Sequence, residues 1–350
     1  MRILALDPRS GDYFSNLFVL DERGRHLRKL RLGYVPELRY DSARRELAVV
    51  ETRIPYGLFR RRVSYWLKRY DSDSFRLLGQ VETPERPMYA GYPNRSTRVA
   101  ESRSGHYLYF LSQQILLRGN GTGDVFRLRP HRLDRRTGTV AQGSFVIDSC
   151  MVEFGQIGDH DDDLYFHLSC DFPSTVAFAK FLCADVEMVQ MVDLRPRVHC
   201  PQETNGSWLD RSSNCLYCVS GDGSIYEVKH PPHPHCRLVT KAELQTGQSI
   251  GLQMLHGAGD DLFLGICANP GERSLSLASQ VQIFSKNGRY RKTVDLPFPA
   301  INFVATEDGD RLVAVSPYDR ALAIVDVGSG NVMQVIGQLG FTPAEVLLLP

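Results

Sequence analysis

Histidine and cysteine, which often bind transition metals, are densest in one short segment of this chain. Residues 230–236 read His-Pro-Pro-His-Pro-His-Cys. An extended, proline-rich backbone can bring His233 and His235 to one side, where two imidazoles can bind a metal ion. The alternative is a stiff hairpin loop between two strands. The sequence favours the loop, so the two histidines are weak candidates for a metal site.

Three further segments have motif-like spacing but favour structural roles. Cys215 and Cys218 are spaced as in a redox or zinc motif, but in a predicted strand residues three apart point to opposite faces. Residues 159–163, Asp-His-Asp-Asp-Asp, lack the glycine and distal glutamate of a calcium loop, which favours a solvated turn. Residues 119–123, Gly-Asn-Gly-Thr-Gly, precede no helix that could bind phosphate, which favours a hairpin turn. We therefore predict no catalytic residue and no cofactor within this chain.

The charges of the chain are almost balanced, which argues against a nucleic-acid partner. Its 350 residues carry 41 Lys and Arg against 40 Asp and Glu, a formal net charge of +1. No apolar run is long enough for a membrane helix, so no membrane insertion is expected. Residues 2–6 are too short for an export signal. This predicts a cytoplasmic location for the sequence as written, and a periplasmic one if its N-terminus was trimmed.

The elements that must position these residues are short strands in a repeating unit. The clearest copy is the last, in which residues 301–304, 311–315, 321–326 and 332–336 read as apolar strands between turns rich in Asp and Gly. No window of about fifteen residues has the 3.6-residue period of a capped helix. The repeat of about 40 to 50 residues therefore predicts an all-β fold.

The repeats predict a single domain, residues 1–350, folded as a seven-bladed β-propeller. Six four-stranded units fill most of the chain, and the strands left at its two ends sum to a seventh. Because an open ring leaves unpaired edges, we expect the strand of residues 2–7 to pair with that of residues 345–349 in a shared blade. The predicted blades are residues 2–32 with 343–350, 36–82, 97–146, 149–194, 205–245, 250–296 and 300–338.

The order of several segments resembles the heavy, or large, subunit of methylamine and aromatic amine dehydrogenases. The opening RILALDPRSGDYFSNLFVLDERGR is similar to the family's first strands, where one strand ends in Asp-Pro and another leads to a Gly-Arg turn. The segments LGYVPELRYD, VSYWLKRYDSDSFRLLGQVETPERPMYAGYPNRSTRVAESRSGHYLYF and DRALAIVDVGSGNVMQVIGQLGFTPAEVLLL also resemble it, in the same order. The resemblance covers nearly the whole chain, although each motif alone is ordinary for a propeller.

The resemblance implies a scaffold whose catalytic cofactor is on another chain. In that family the large subunit docks a small, disulfide-rich subunit that carries tryptophan tryptophylquinone. The large subunit also lines the channel through which a primary amine reaches the quinone. The complex oxidises the amine to an aldehyde and ammonia, and an electron-acceptor protein receives the electrons. The expected partners are therefore a small Cys- and Trp-rich protein and an electron acceptor.

The resemblance also implies particular residues. Gly11 stands where the family has an aromatic side chain at the amine channel, and Tyr13 or Phe14 is expected to fill that space, with Tyr34 nearby. Cys150 and Cys170 lie on the two strands where the family has a cysteine pair, so a disulfide is expected. Two buried free thiols are the alternative if the compartment is reducing.

The sequence is compatible with three functions. The first is the large subunit of an amine-dehydrogenase-like complex. The second is a stand-alone cytosolic propeller that binds a peptide or protein and has no redox activity of its own. The third is a propeller enzyme such as a lactonase with a metal in the central channel, which only scattered His and Asp residues favour.

Overall fold

The computed structural model of the chain consists of strands and turns, and its described residues include no helix. It therefore has no helix, within these residues, that could cross a membrane. The described residues are 1–11, 14–41, 44–53, 64–83, 99–101, 106–116, 125–143, 147–148, 150–157, 163–170, 175–182, 187–193, 206–210, 213, 215–229, 235–268 and 277–350.

The strands form seven antiparallel sheets, named here by their order along the chain. The first sheet is β29 (Glu345–Leu349), β1 (Arg2–Gly11), β2 (Phe14–Asp21) and β3 (His26–Leu32). The second is β4 (Tyr34–Asp41), β5 (Glu46–Arg53), β6 (Ser64–Asp71) and β7 (Leu77–Thr83). The third is β8 (Val99–Glu101), β9 (Tyr107–Leu116), β10 (Val125–Asp134) and β11 (Val140–Gln142), with β12 (Ile147–Asp148) also paired to β10.

The remaining four sheets follow the same meander. The fourth is β13 (Cys150–Ile157), β14 (Asp163–Cys170), β15 (Thr175–Leu182) and β16 (Glu187–Asp193). The fifth is β17 (Gly206–Asp210), β18 (Cys215–Val219), β19 (Ser224–Lys229) and β20 (His235–Lys241). The sixth is β21 (Gln248–Ala258), β22 (Asp261–Ala268), β23 (Ala278–Ser285) and β24 (Tyr290–Ala300). The seventh is β25 (Asn302–Ala305), β26 (Arg311–Ser316), β27 (Ala321–Asp326) and β28 (Val332–Ile336).

The two ends of the chain share the first sheet, as predicted. Strands β1 and β29 pair antiparallel, with Arg2 opposite Leu349 and Leu6 opposite Glu345. Ile3 and Leu4 on opposite faces of β1 are both fully buried, so its backbone is shielded from water and needs a hydrogen-bonded strand on each side. Seven described sheets fit the predicted number of blades, and the blade count and blade boundaries of the complete ring stay predictions.

The first strand of each sheet lies at the inner side of the arrangement. From β8 through β13, β17, β21, β25 and β29 to β4, each first strand contacts the next one. The core lies between neighbouring sheets, where Leu4 and Leu17 of the first sheet pack with Leu47 of the second. Full burial of a leucine contributes about 1.5–3 kcal/mol, so these seams hold the sheets together.

Connections of different length lie on the two faces of the molecule. On one face, here called the turn face, two to five residues join first to second and third to fourth strands. On the opposite face, here called the loop face, the chain passes from second to third strands and on to the next sheet. Of the longer connections, the structure describes residues 242–247 and 337–344, and both lie there.

The turn face is built from aspartate-capped turns, which explains the predicted strands that end in Asp. Asp326 ends β27, and its Oδ1 accepts hydrogen bonds from the backbone N–H (2.6 Å) and the hydroxyl (2.6 Å) of Ser329. These hydrogen bonds hold the pKa of Asp326 below its usual range. Asp71 is held in the same way by Ser74, and Asp134 by the backbone of Thr137 and Arg136. The aspartates of these turns therefore stabilise the fold.

Candidate functional site

Aromatic rings and arginines pair at the loop face of the first two sheets. Phe14 begins β2, and the guanidinium carbon of Arg31 lies 3.9 Å from the centroid of its ring. In the second sheet the guanidinium carbon of Arg53 lies 4.9 Å from the ring centroid of Trp66. The indole N–H of Trp66 donates to the Ser64 hydroxyl at 2.9 Å. Stacking on a ring restricts each exposed arginine to one orientation.

A buried ion pair lies beneath this surface, between the first two sheets. Glu51 in β5 and Lys68 in β6 form a salt bridge, and their side chains are 0% and 7% exposed. The carboxylate also accepts from Arg53 Nε at 3.1 Å and from the backbone N–H of Gly33 at 2.6 Å. Each oxygen of Glu51 therefore has a donor, which offsets the cost of burying the charge.

Glu51 fixes the crossing from the first sheet to the second. Gly33 is the single residue between β3 and β4, so its hydrogen bond to Glu51 sets where β4 begins. A Cβ at Gly33 would lie 2.6 Å from the carbonyl oxygen of Thr52, so no larger residue fits. Sequence reasoning missed Glu51. The signal was its alternation with the buried Leu47 and Val49, which places a carboxylate on the inward face of β5.

The seventh sheet adds an exposed aromatic residue to the same face. Tyr318 lies in the connection 317–320 between β26 and β27, and it is 62% exposed. We use the name loop-face sector for Phe14, Arg31, Arg53, Trp66 and Tyr318. These residues belong to the seventh, first and second sheets, which are neighbours in the ring.

A second cluster lies at the seam between the fifth and sixth sheets, with Trp208 on β17, Tyr217 on β18, His256 on β21 and Lys286 in the turn after β23. The Trp208 ring lies 5.9 Å from that of Tyr217 and 6.3 Å from that of His256, centroid to centroid. Lys286 places its Nζ 5.2 Å from the Trp208 ring centroid and 2.6 Å from Asp210 Oδ2. The Nδ1 atom of His256 is buried and has no hydrogen-bond partner among the described residues, and burial lowers its pKa from 6.5 to about 4. The imidazole is therefore neutral at physiological pH.

The predicted channel residues are only partly described. Phe14 and Tyr34 begin β2 and β4, so both lie at loop-face ends of their strands. The side chain of Tyr34 and the whole of Tyr13 lie outside the described residues. The amine channel stays a prediction.

The predicted cysteine and histidine sites are also only partly described. The register of β13 and β14 places Cys150 opposite Cys170, while their side chains lie outside the described residues, so the disulfide stays a prediction. His235 Nε2 lies 3.6 Å from Glu227 Oε1, and His233 is not among the described residues. Cys215 and Cys218 are buried in β18. Within the part of the chain that the structure describes, no three His, Cys, Asp or Glu side chains are grouped to hold a metal ion.

Comparison with known proteins shows the fold. No family model and no curated protein matches the chain, so the resemblance to amine dehydrogenase large subunits stays a hypothesis. Among solved structures, a periplasmic gluconolactonase of Pseudomonas aeruginosa is 16% identical with a TM-score of 0.64, over 99% of this chain and 98% of that one.

Two further structures agree on the architecture. A putative 6-phosphogluconolactonase of Bacteroides uniformis is 12% identical, with a TM-score of 0.61 over 99% of both chains. The β-propeller domain of Myceliophteria thermophila Swd1 is 12% identical, with a TM-score of 0.54 over 86% of this chain and 85% of that one. Likeness at such identities concerns the fold and not the activity. The chain is therefore an all-β protein with the β-propeller fold.

Proposed function

We propose that the chain is a scaffold that docks a protein partner on its loop face. The observation that supports this most directly is the asymmetry of the two faces. The described connections of the turn face have two to five residues, whereas the loop face has the loop-face sector together with the longer described connections 242–247 and 337–344. Loops held on a rigid scaffold are where proteins usually place binding surfaces.

The residue types of the loop-face sector support a protein as the ligand. Trp, Tyr and Arg contribute most to binding energy at protein–protein interfaces, because each buries a large, rigid surface and keeps a polar group for a directed hydrogen bond. Trp66 and Arg53 already restrict each other through their stacking. A partner would therefore meet side chains that lose little conformational entropy on binding.

The sequence resemblance suggests a particular form of this scaffold. We propose that the chain is the large subunit of an amine-dehydrogenase-like complex, and that its partner is the small subunit with tryptophan tryptophylquinone. Tyr13, Phe14 and Tyr34 would then line the passage of the amine. The position of Phe14 and Tyr34 at loop-face strand ends is compatible with such a passage beside a partner docked there.

Isolation of the native complex tests both levels of this proposal. A tagged chain is purified from its own host, and co-purifying proteins are identified and quantified by mass spectrometry. The proposal predicts a stoichiometric small, Cys- and Trp-rich protein, quinone absorbance, and amine-dependent reduction of an artificial electron acceptor. A stoichiometric partner without quinone would support the scaffold and contradict the amine dehydrogenase form. A chain that is partnerless in its host would contradict both.

A further inference from the structure

The outer strand of the seventh sheet is an exposed and apolar edge. Strand β28 pairs with β27 on one side and ends the sheet on the other. Val332, Met333 and Val335 are 41%, 55% and 50% exposed. No residue of β28 is charged. Such an edge presents unpaired backbone N–H and C=O groups beside apolar side chains.

The other outer strands are protected by charge. Every other described outer strand of five or more residues carries at least one charged side chain: Arg28, Lys29 and Arg31 in β3, Glu82 in β7, Glu187 and Asp193 in β16, Arg237 and Lys241 in β20, and Arg291, Lys292 and Asp295 in β24. Charged edge strands resist pairing with a further strand, because a buried charge would need a partner. Strand β28 lacks this protection.

We propose that β28 is the interface of a two-fold homodimer, in which it pairs antiparallel with β28 of a second copy. Unpaired strand groups are satisfied best by another extended chain. A two-fold axis brings each strand against its own sequence, so copies of β3 or β20, whose charged side chains are all positive, would bring like charges together. Two copies of β28 bring only apolar and amide side chains together, and this is the argument for a second copy as the occupant.

A bulge limits the strength of this pairing. Ile324 faces Gln334 and Val325 faces Val332, so Met333 is the extra residue of a β-bulge. Equivalent register shifts occur in the third-to-fourth strand pairs of five other sheets. The regular part of β28 is therefore Gln334–Ile336, with Val335 at its centre and on the two-fold axis. So short an interface implies a weak dimer, with a Kd of about 10–100 µM.

Sedimentation velocity over a concentration series tests the dimer. The wild-type chain is expected to shift from its monomer mass of 39.5 kDa toward twice that value as its concentration approaches about 200 µM. Val335→Lys places two ammonium groups at the axis, so we expect a Kd at least tenfold higher. Leu238→Lys is the matched control, because Leu238 is a 56% exposed residue on the outer strand of the fifth sheet. This control should dimerise like the wild type.

A cysteine variant tests the register independently, whether or not Val335→Lys folds. Val335→Cys faces its own copy across the axis, so mild oxidation should give a covalent dimer, whereas Leu238→Cys should not. A wild-type chain that stays monomeric at about 200 µM would overturn the proposal. It would also be overturned by a dimer that Val335→Lys leaves intact, or by equal cross-linking of the two cysteine variants.

Discussion

At the scale of single residues, a buried ion pair orients the backbone where the first sheet joins the second. Glu51 and Lys68 are buried between two otherwise apolar sheet faces, and the carboxylate also holds the backbone of Gly33. Two leucines would fill this space at less desolvation cost, but they could not hold the crossing strand through a hydrogen bond. Glu51 therefore acts as a positioning residue for the start of β4, beside the loop-face sector.

Replacing one member of this pair should be costly. Glu51→Gln leaves the Lys68 ammonium buried without its counter-charge, so we expect a loss of about 3 kcal/mol in the free energy of unfolding. Urea denaturation measures this loss. The double variant Glu51→Gln with Lys68→Met removes both charges, keeps a carbonyl acceptor for the Gly33 N–H, and should recover most of it. A single variant within about 0.5 kcal/mol of wild type would show that the ion pair is not buried as described.

His256 should make stability depend on pH in the range where few other groups titrate. Burial lowers its pKa to about 4, while in the unfolded chain it titrates at its ordinary value of 6.5. Between these values the unfolded chain takes up a proton that the folded chain does not. The free energy of unfolding should therefore fall as the pH falls from 7 to 4. His256→Gln should flatten the change in urea midpoint between pH 7 and pH 5, and an unchanged slope would contradict this assignment.

At the scale of elements, the seam between the fifth and sixth sheets depends on a glycine that leaves room for a tryptophan. Trp208 on β17 packs over the backbone of β21 at Gly257. A Cβ at Gly257 would lie 2.3 Å from the Trp208 ring, so the position accepts glycine alone. The ring in turn supports Tyr217 and Lys286. This seam joins the inner strands of the fifth and sixth sheets.

Gly257→Ala should therefore loosen this seam. The added methyl group must displace the indole, and such overpacking costs about 1–3 kcal/mol. Gly337→Ala is the matched control, because no atom of the described residues lies within 4 Å of a Cβ there. Thermal denaturation should show a lower Tm for Gly257→Ala and little change for the control. Equal Tm values for the two variants would contradict the close approach of Trp208.

At the scale of the whole molecule, the ring is closed by a short C-terminal strand. β29 supplies the inner strand of the first sheet, and it also contacts the inner strands β25 and β4 on either side. Without it, the fully buried residues of β1 would lie on an open edge. The pairing of β29 with β1 therefore joins the two ends of the chain between the seventh and second sheets.

Removal of this strand should be far more damaging than its length suggests. Deletion of residues 343–350 is expected to abolish the cooperative urea transition. The reason is that β1 loses all five residue pairs that it forms with β29, and these pairs close the ring. Deletion of Pro350 alone is the control, because it lies beyond the last paired residue, Leu349, and should unfold like the full chain. A cooperative transition at the wild-type midpoint in the longer deletion would contradict closure by β29.

The sequence allowed the strands and the closing pair to be predicted, because their signals are local. The signals are the short apolar runs, the Asp- and Gly-rich turns between them, and the unmatched strands at both ends, and each can be read without knowledge of distant contacts. The loop-face sector could not be found in this way. Trp66 and Tyr318 are about 250 residues apart, and only the ring brings their sheets into one part of the same face. Glu51 was missed because a charged side chain in a strand usually points to solvent, whereas this one is buried.

The most direct test of the account compares partner binding between the two faces. The variant Trp66→Ala with Tyr318→Ala removes two rings from the loop-face sector, and Tyr290→Ala removes an exposed ring from the turn-face end of β24. Each tagged protein is purified from the native host, and the stoichiometry of the co-purifying partner is quantified. We expect the amount of co-purifying partner to fall at least about tenfold for the double variant and to stay at the wild-type stoichiometry for Tyr290→Ala. Retention of the partner by a folded double variant would contradict docking on the loop face.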